Sequence, residues 1–295
     1  MPAIDVRGLT KRYGETVAND DLEFAVEEGE IFGYLGPNGA GKSTTIRQLL
    51  GFQSPTAGTA YVLGSDVRDE RALRRAKARI GFLPGDPAFD GGATGAEFLD
   101  YQAALKGDER RAELLDIFRP PLDRKIREYS SGNRQMLGIV QAFMHDPDLV
   151  VMDEPTSGLD PLKQERFNRF LREERTAGTT VFFSSHVLGE VRRVCDRVGI
   201  IRDGRLVAVE GVDELLDRGG KRVRVHTAEP IDEAALDLDG VVGLERVGRE
   251  VQFTFAGDFD DLVDALADLD IVDLDVEEPP IEEVFMHFYG EAGGA

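Results

Sequence analysis

The apolar positions outline the chain before any motif does. Residues 31–35 form an apolar run that stops at Gly36, the mark of a buried strand entering a loop. TTIRQLL at 44–50 then recurs at helical spacing and ends at Gly51, a suitable C-cap. Shorter β-type runs precede them at 4–6 and 23–26. Downstream, the spacing predicts a basic helix over 71–79, a strand over 80–83, and mostly helix over 95–118, interrupted by Pro120 and Pro121. A helix over 134–144 and two buried strands, 149–152 and 180–183, follow, with a charged helix over 161–175 between the strands. Such alternation predicts a doubly wound α/β core carrying a helical insert at about 86–145.

The last third has another rhythm. Strands at 222–226, 241–246, 250–255 and 271–276, with helices at 231–236 and 258–266, give βαββαβ, the order of a small ferredoxin-like α+β domain. A final helix over 281–288 is expected after Pro279 and Pro280. Its flanking Glu277, Glu278, Glu282 and Glu283 suit the positive end of a helix dipole.

Charge follows the same division. The 295 residues carry a formal net charge of −21, and residues 212–295 hold 23 acidic and 6 basic side chains, a net of −17. The shift places a domain boundary near Gly211: residues 1–211 as one domain, 212–295 as an acidic accessory one. Arg (28) outnumbers Lys (7), and the acidic, Lys-poor composition is halophile-like, suited to salt that screens self-repulsion over a few Å. Such a charge repels a phosphate backbone and argues against nucleic acid as a partner.

No apolar run reaches the ~18 to 20 residues that span a bilayer, and the N-terminus lacks the order of a signal peptide. One cysteine, Cys195, excludes a disulfide framework. With His145, His226 and His287, it has no partner at ligand spacing, so all four read as structural or surface residues.

The chemistry lies elsewhere. Gly36, Pro37, Asn38, Gly39, Ala40, Gly41, Lys42 and Ser43 spell G-x-x-x-x-G-K-S between a buried strand and a helix, the context a phosphate loop requires. Glycines let backbone N–H groups converge on β- and γ-phosphate oxygens, while the helix N-terminus adds positive potential. Lys42 is expected to reach those oxygens and Ser43 to ligate Mg²⁺. LVVMDE at 149–154 is an apolar strand ending in two acids. Asp153 is expected in the Mg²⁺ shell, and Glu154 is expected to polarise the water that attacks the γ-phosphate.

YSSGN at 129–133, at a helix start, completes a set that resembles the ATP-binding cassette family, whose signature is LSGGQ-like. The resemblance covers residues 3–211 and implies an ABC-type fold: a parallel-sheet core, an antiparallel β subdomain and a helical insert. It implies that Ser130, Ser131, Gly132 and Asn133 cap the γ-phosphate held by a second subunit, and that Tyr13 stacks on adenine. Thr44 joins the nucleotide loop, Asp160 of SGLD lies in the loop crossing the dimer interface, and His186 contacts the γ-phosphate. Where the family has glutamine after the IGFLP strand, this chain has Gly85 then Asp86. Asp86 is read either as reaching the metal or a bridging water, or as part of a turn before Pro87.

The expected function is that of an ATP-hydrolysing subunit of an ABC-2-type exporter, similar to the drug and antibiotic efflux branch. ATP and Mg²⁺ are the expected cofactors. The expected partners are a second copy, through an ATP sandwich, and a separate integral membrane permease at the cytoplasmic side of the cell membrane. The alternatives are a soluble, non-transport ABC ATPase and a weakly hydrolysing ATP-dependent regulatory protein.

Overall fold

The computed structural model describes residues 2–229, 236, 238–267 and 269–277. They fall in two compact units, Met1–Glu210 and Gly211–Ala295.

In the first unit, β3 (Ile31–Leu35), β6 (Ile80–Leu83), β7 (Leu149–Asp153), β8 (Thr180–Ser185), β9 (Arg197–Arg202) and β10 (Arg205–Gly211) form a six-stranded sheet ordered β10-β9-β3-β8-β7-β6. Its β9-β3-β8-β7-β6 neighbours pair in parallel. Parallel strands are covered on both faces, which is why β3, β7 and β8 read as continuous apolar runs. Each fully buried Leu or Val among them contributes roughly 1.5–3 kcal/mol.

A second, antiparallel sheet is ordered β2-β1-β4-β5, from β1 (Ile4–Tyr13), β2 (Thr16–Val26), β4 (Ala57–Val62) and β5 (Ser65–Asp66). Strands β1 and β2 run well past the expected 4–6 and 23–26. Their outer halves carry charged side chains, and it is backbone pairing of β1 with both β2 and β4 that keeps them extended. Phe24 of β2 stacks with Phe32 and Tyr34 of β3 and Phe182 of β8, with contacting ring centroids 5.3 to 6.2 Å apart, joining the two sheets.

Helix α1 (Lys42–Leu49) follows β3, and α2 (Glu70–Ala76) precedes β6. The helical insert comprises α3 (Gly95–Lys106), α4 (Arg111–Phe118) and α5 (Ser131–Phe143); Gly107, at φ 101°, ends α3 within the stretch expected to be mostly helical. Helices α6 (Pro161–Ala177) and α7 (Leu188–Val194) flank β8 in sequence.

The second unit holds α8 (Val212–Gly219), β11 (Lys221–Thr227), β12 (Val241–Val247), β13 (Glu250–Phe255), α9 (Phe259–Ala267) and β14 (Ile271–Glu277). Its sheet, ordered β12-β13-β11-β14 and antiparallel throughout, has the strand order of a ferredoxin-like domain. Val223, Val225, Val251, Phe253 and Phe255 pack with Leu262 and Leu266 of α9. The helices expected over 231–236 and 281–288 lie, Leu236 apart, outside the described residues.

Candidate functional site

The phosphate loop leaves the buried end of β3 and must turn within eight residues into α1. A Cβ on Gly36 would lie 2.3 Å from the Ile201 carbonyl oxygen, and one on Gly41, at φ 107°, 2.4 Å from that of Ala18. Neither position has room for a side chain. Behind the loop, fully buried Asn19 donates its amide to the Gly41 carbonyl at 3.2 Å and to Thr45 Oγ1 at 3.1 Å, and accepts from Gln48 at 2.8 Å. The loop is thus held by a polar pin from β2.

Lys42, 5% exposed, folds back so that its ammonium donates to the Gly36 and Pro37 carbonyls at 2.6 and 3.1 Å. Burial pushes its pKa below the usual lysine value, opposed by the nearby Glu154 and Asp153 carboxylates. Those acids end β7, two strands from β3, so the parallel register brings them to the loop. Lys42 Nζ lies 3.8 Å from Glu154 Oε1, and His186 Nδ1 lies 3.1 Å from the same oxygen.

Glu154 occupies the left-handed region at φ 48°, which costs a non-glycine residue about 1 kcal/mol or more. Its N–H is caught by the Ser184 carbonyl (3.1 Å) and hydroxyl (3.2 Å), and that same hydroxyl donates to Asp153 Oδ1. Ser184 therefore aims both acids.

A hollow of about 190 Å³ is lined by Ala18, Asn38, Gly39, Gly41, Lys42, Ser43, Thr44 and Glu154. The structure thus gathers the phosphate-loop residues, Glu154 and, through Glu154, His186. Other expected site residues lie apart. Ser130 caps α5 by accepting from the Asn133 N–H at 3.3 Å, and Ser131 and Gly132 lie against Gly158 of the SGLD loop. Asp160 caps α6 through the Lys163 N–H and pairs with Lys163 Nζ, both at 3.0 Å. Tyr13 is 46% exposed, its hydroxyl bonded to Gln53 and its ring 5.2 Å from Lys11 Nζ. Asp86 is exposed and does not line the hollow. Gly85 does face Asp153: a Cβ there would sit 3.2 Å from the Asp153 carbonyl oxygen and 3.7 Å from its carboxylate carbon.

Asn19 and Ser184 escaped the sequence reading, because a single polar residue in a strand gives no sign of what it will face. The two serines closing the apolar run of β8 are the only trace of the second.

A glycine loop between a central parallel strand and its helix, facing acids at the end of a strand two places along the same sheet, is the nucleotide cradle of a P-loop ATPase. Residues 19–157 match the family described as ABC transporter. The daunorubicin/doxorubicin resistance ATP-binding protein DrrA of Streptomyces peucetius is 39% identical over 254 residues, 82% of this chain and 76% of DrrA. An uncharacterized ABC transporter ATP-binding protein of Nostoc is 41% identical over 212 residues, 68% of this chain and 62% of that protein, so the chain spans less than two thirds of that relative. Among solved structures, a dimeric ATP-binding cassette in a post-hydrolysis state bound to ADP and Pi superposes with a TM-score of 0.65 at 25% identity, covering 71% of this chain and 98% of the cassette. The chain belongs to the ABC transporter family, as one of its ATP-binding, ATP-hydrolysing subunits.

Proposed function

We propose that this subunit powers an exporter by closing on a second copy of itself around ATP and reopening after hydrolysis. The observation that carries the reading is the division of the site: the phosphate loop and Glu154 line the hollow, whereas Ser130–Asn133 do not. One chain alone encloses only one side of a nucleotide. A head-to-tail pair would set Gly36–Thr44 of one copy against Ser130–Asn133 of the other, with Asp160 at the interface and Tyr13 against adenine. The similar cassette bound to ADP and Pi is itself dimeric.

Within the site, Lys42 holds the β- and γ-phosphates and His186 the γ-phosphate. Glu154, drawn toward both, takes the proton of the attacking water. The Ser43 hydroxyl and the Asp153 carboxylate fit Mg²⁺, a hard cation that takes few protein oxygens and leaves the rest of its shell to phosphate and water; it would offset charge on the phosphates.

No described helix is long and apolar enough to cross a membrane, so a separate permease is the natural pathway, with this subunit at its cytoplasmic face. A groove of about 710 Å³ beside the helical insert, lined by Phe52, Phe82, Phe89, Phe98 and Tyr101, offers an apolar surface of the kind partner segments cover. DrrA's role in drug resistance supports the export direction.

The test is light scattering of the Glu154→Gln protein with and without ATP and Mg²⁺, beside wild-type turnover. The expected result is a monomer that becomes a dimer with ATP and does not hydrolyse it. A persistent monomer overturns the sandwich, and wild-type turnover in the variant overturns the role of Glu154.

A further inference from the structure

Two residues after His186, α7 begins, and its first-turn Glu190 directs its carboxylate inward. Oε2 accepts from the Ser185 hydroxyl at 2.6 Å, and Oε1 accepts from the Thr156 hydroxyl. Ser185 and Thr156 are 1% and 6% exposed, so both bonds are shielded from water. A first-turn glutamate satisfies a helix dipole from the surface and needs neither contact. Bonds from two hydroxyls to one carboxylate are charge-assisted and hold their partners firmly.

The partners' positions give these bonds a consequence. Ser185 immediately precedes His186, and its hydroxyl also accepts the Val187 N–H at 3.0 Å, so it fixes the bend that carries the histidine. Thr156 lies two residues past Glu154, in the loop that α6 closes. Ser184 secures Glu154 from the side of β8; Glu190 secures the other end of the same turn and ties it to the histidine bend. The 3.1 Å contact between Glu154 and His186 joins two side chains on separate loops, and neither loop is regular structure.

We infer that Glu190 is a positioning residue for ATP hydrolysis, bridging the two loops so that Glu154 and His186 stay in register. The inference rests on the roles proposed for those two residues. Displacing a reacting group by about 1 Å costs up to a hundredfold in rate, whereas the phosphate loop meets this bridge through a main-chain bond, the Gly36 N–H to the Ser185 carbonyl at 3.2 Å, to which the Glu190 side chain contributes nothing, so nucleotide affinity should survive its loss.

The experiment uses the full chain with Glu190→Ala, Glu190→Gln, Thr156→Val and the Glu190→Ala/Thr156→Val pair. ATPase kinetics, the Kd of a fluorescent ATP analogue and thermal midpoints are measured on each. For Glu190→Ala, kcat should fall about tenfold or more while KM and Kd stay within about twofold. Glu190→Gln keeps the shape and one acceptor and should recover most of that loss. The paired variant should be no slower than Glu190→Ala alone, since both changes cut one link. Unchanged kcat in Glu190→Ala overturns the inference. So does a fall in kcat matched by rising KM and Kd without rescue by Gln, or full additivity of the pair. Glu154→Gln, assayed alongside, separates failure of the bridge from failure of the site: if that variant hydrolyses ATP normally, the Glu154 role is wrong whatever Glu190 does.

Discussion

Acidification should weaken the helical insert through His145. The imidazole follows α5, buried, with Nε2 3.3 Å from the Ile80 carbonyl oxygen, which also accepts from Lys106 Nζ at 2.7 Å. Burial, and then the Lys106 charge, push its pKa from 6.5 down to about 4, against smaller opposite pulls from the Ile80 carbonyl, Glu109 and Asp146. Between those values the unfolded chain binds a proton that the folded chain refuses. The stability His145 permits is therefore complete above about pH 6.5 and is lost as pH falls toward 4. From pH 7 to pH 5 this linkage amounts to about 2 kcal/mol. Carboxylates titrate in the same window, so the assay is a difference: urea unfolding of wild type and His145→Gln at both pH values, the amide keeping a donor for Ile80 but taking no proton. The variant should lose about 2 kcal/mol less than wild type on acidification. Equal losses, to within about 0.5 kcal/mol, would refute the argument that burial keeps His145 neutral.

Two further outcomes are expected. Glu174 of α6 is 2% exposed and takes a two-pronged bond from Arg110, just before α4, at 2.8 and 2.6 Å. Arg110→Met leaves that carboxylate without its counter-charge, with the Thr179 hydroxyl at 3.1 Å as a neutral donor, and should cost about 3–5 kcal/mol in denaturant melts. Adding Glu174→Met should restore most of the loss, and a single-variant cost under about 1 kcal/mol would mean the pair is not shielded from water. Lys42→Ala removes the buried ammonium beside the phosphate loop and should weaken ATP binding at least about a hundredfold by calorimetry, with wild-type affinity as the disproof.

Much of this was legible in the chain. Continuous apolar runs gave β3, β6, β7 and β8 because parallel strands buried on both faces tolerate no polar alternation. The phosphate loop was readable because its constraint is local: Gly36 and Gly41 sit where a Cβ would strike backbone. The split strand order of the second sheet followed from the rhythm of its elements. The long β1–β2 ribbon was not readable, because its charged outer half has no apolar run to mark it and is held extended by cross-strand backbone pairing, Tyr13 opposite Thr16 and Thr10 opposite Ala57.

Within the site, residue types came from sequence and their relations from the tertiary structure. Lys42, Asp153, Glu154 and His186 each stood beside a recognisable strand end. That Lys42 and His186 meet at one oxygen of Glu154 depends on the order β3-β8-β7, which no local pattern contains. The same order turns Ser184 and Glu190 from unremarkable polar residues into the aim and the bridge of the site, and the packing of β2 against the phosphate loop and α1 makes Asn19 the pin. A side chain's chemistry is covalent and travels with the sequence; its hydrogen-bond partners, and so its task, exist only once distant strands have packed.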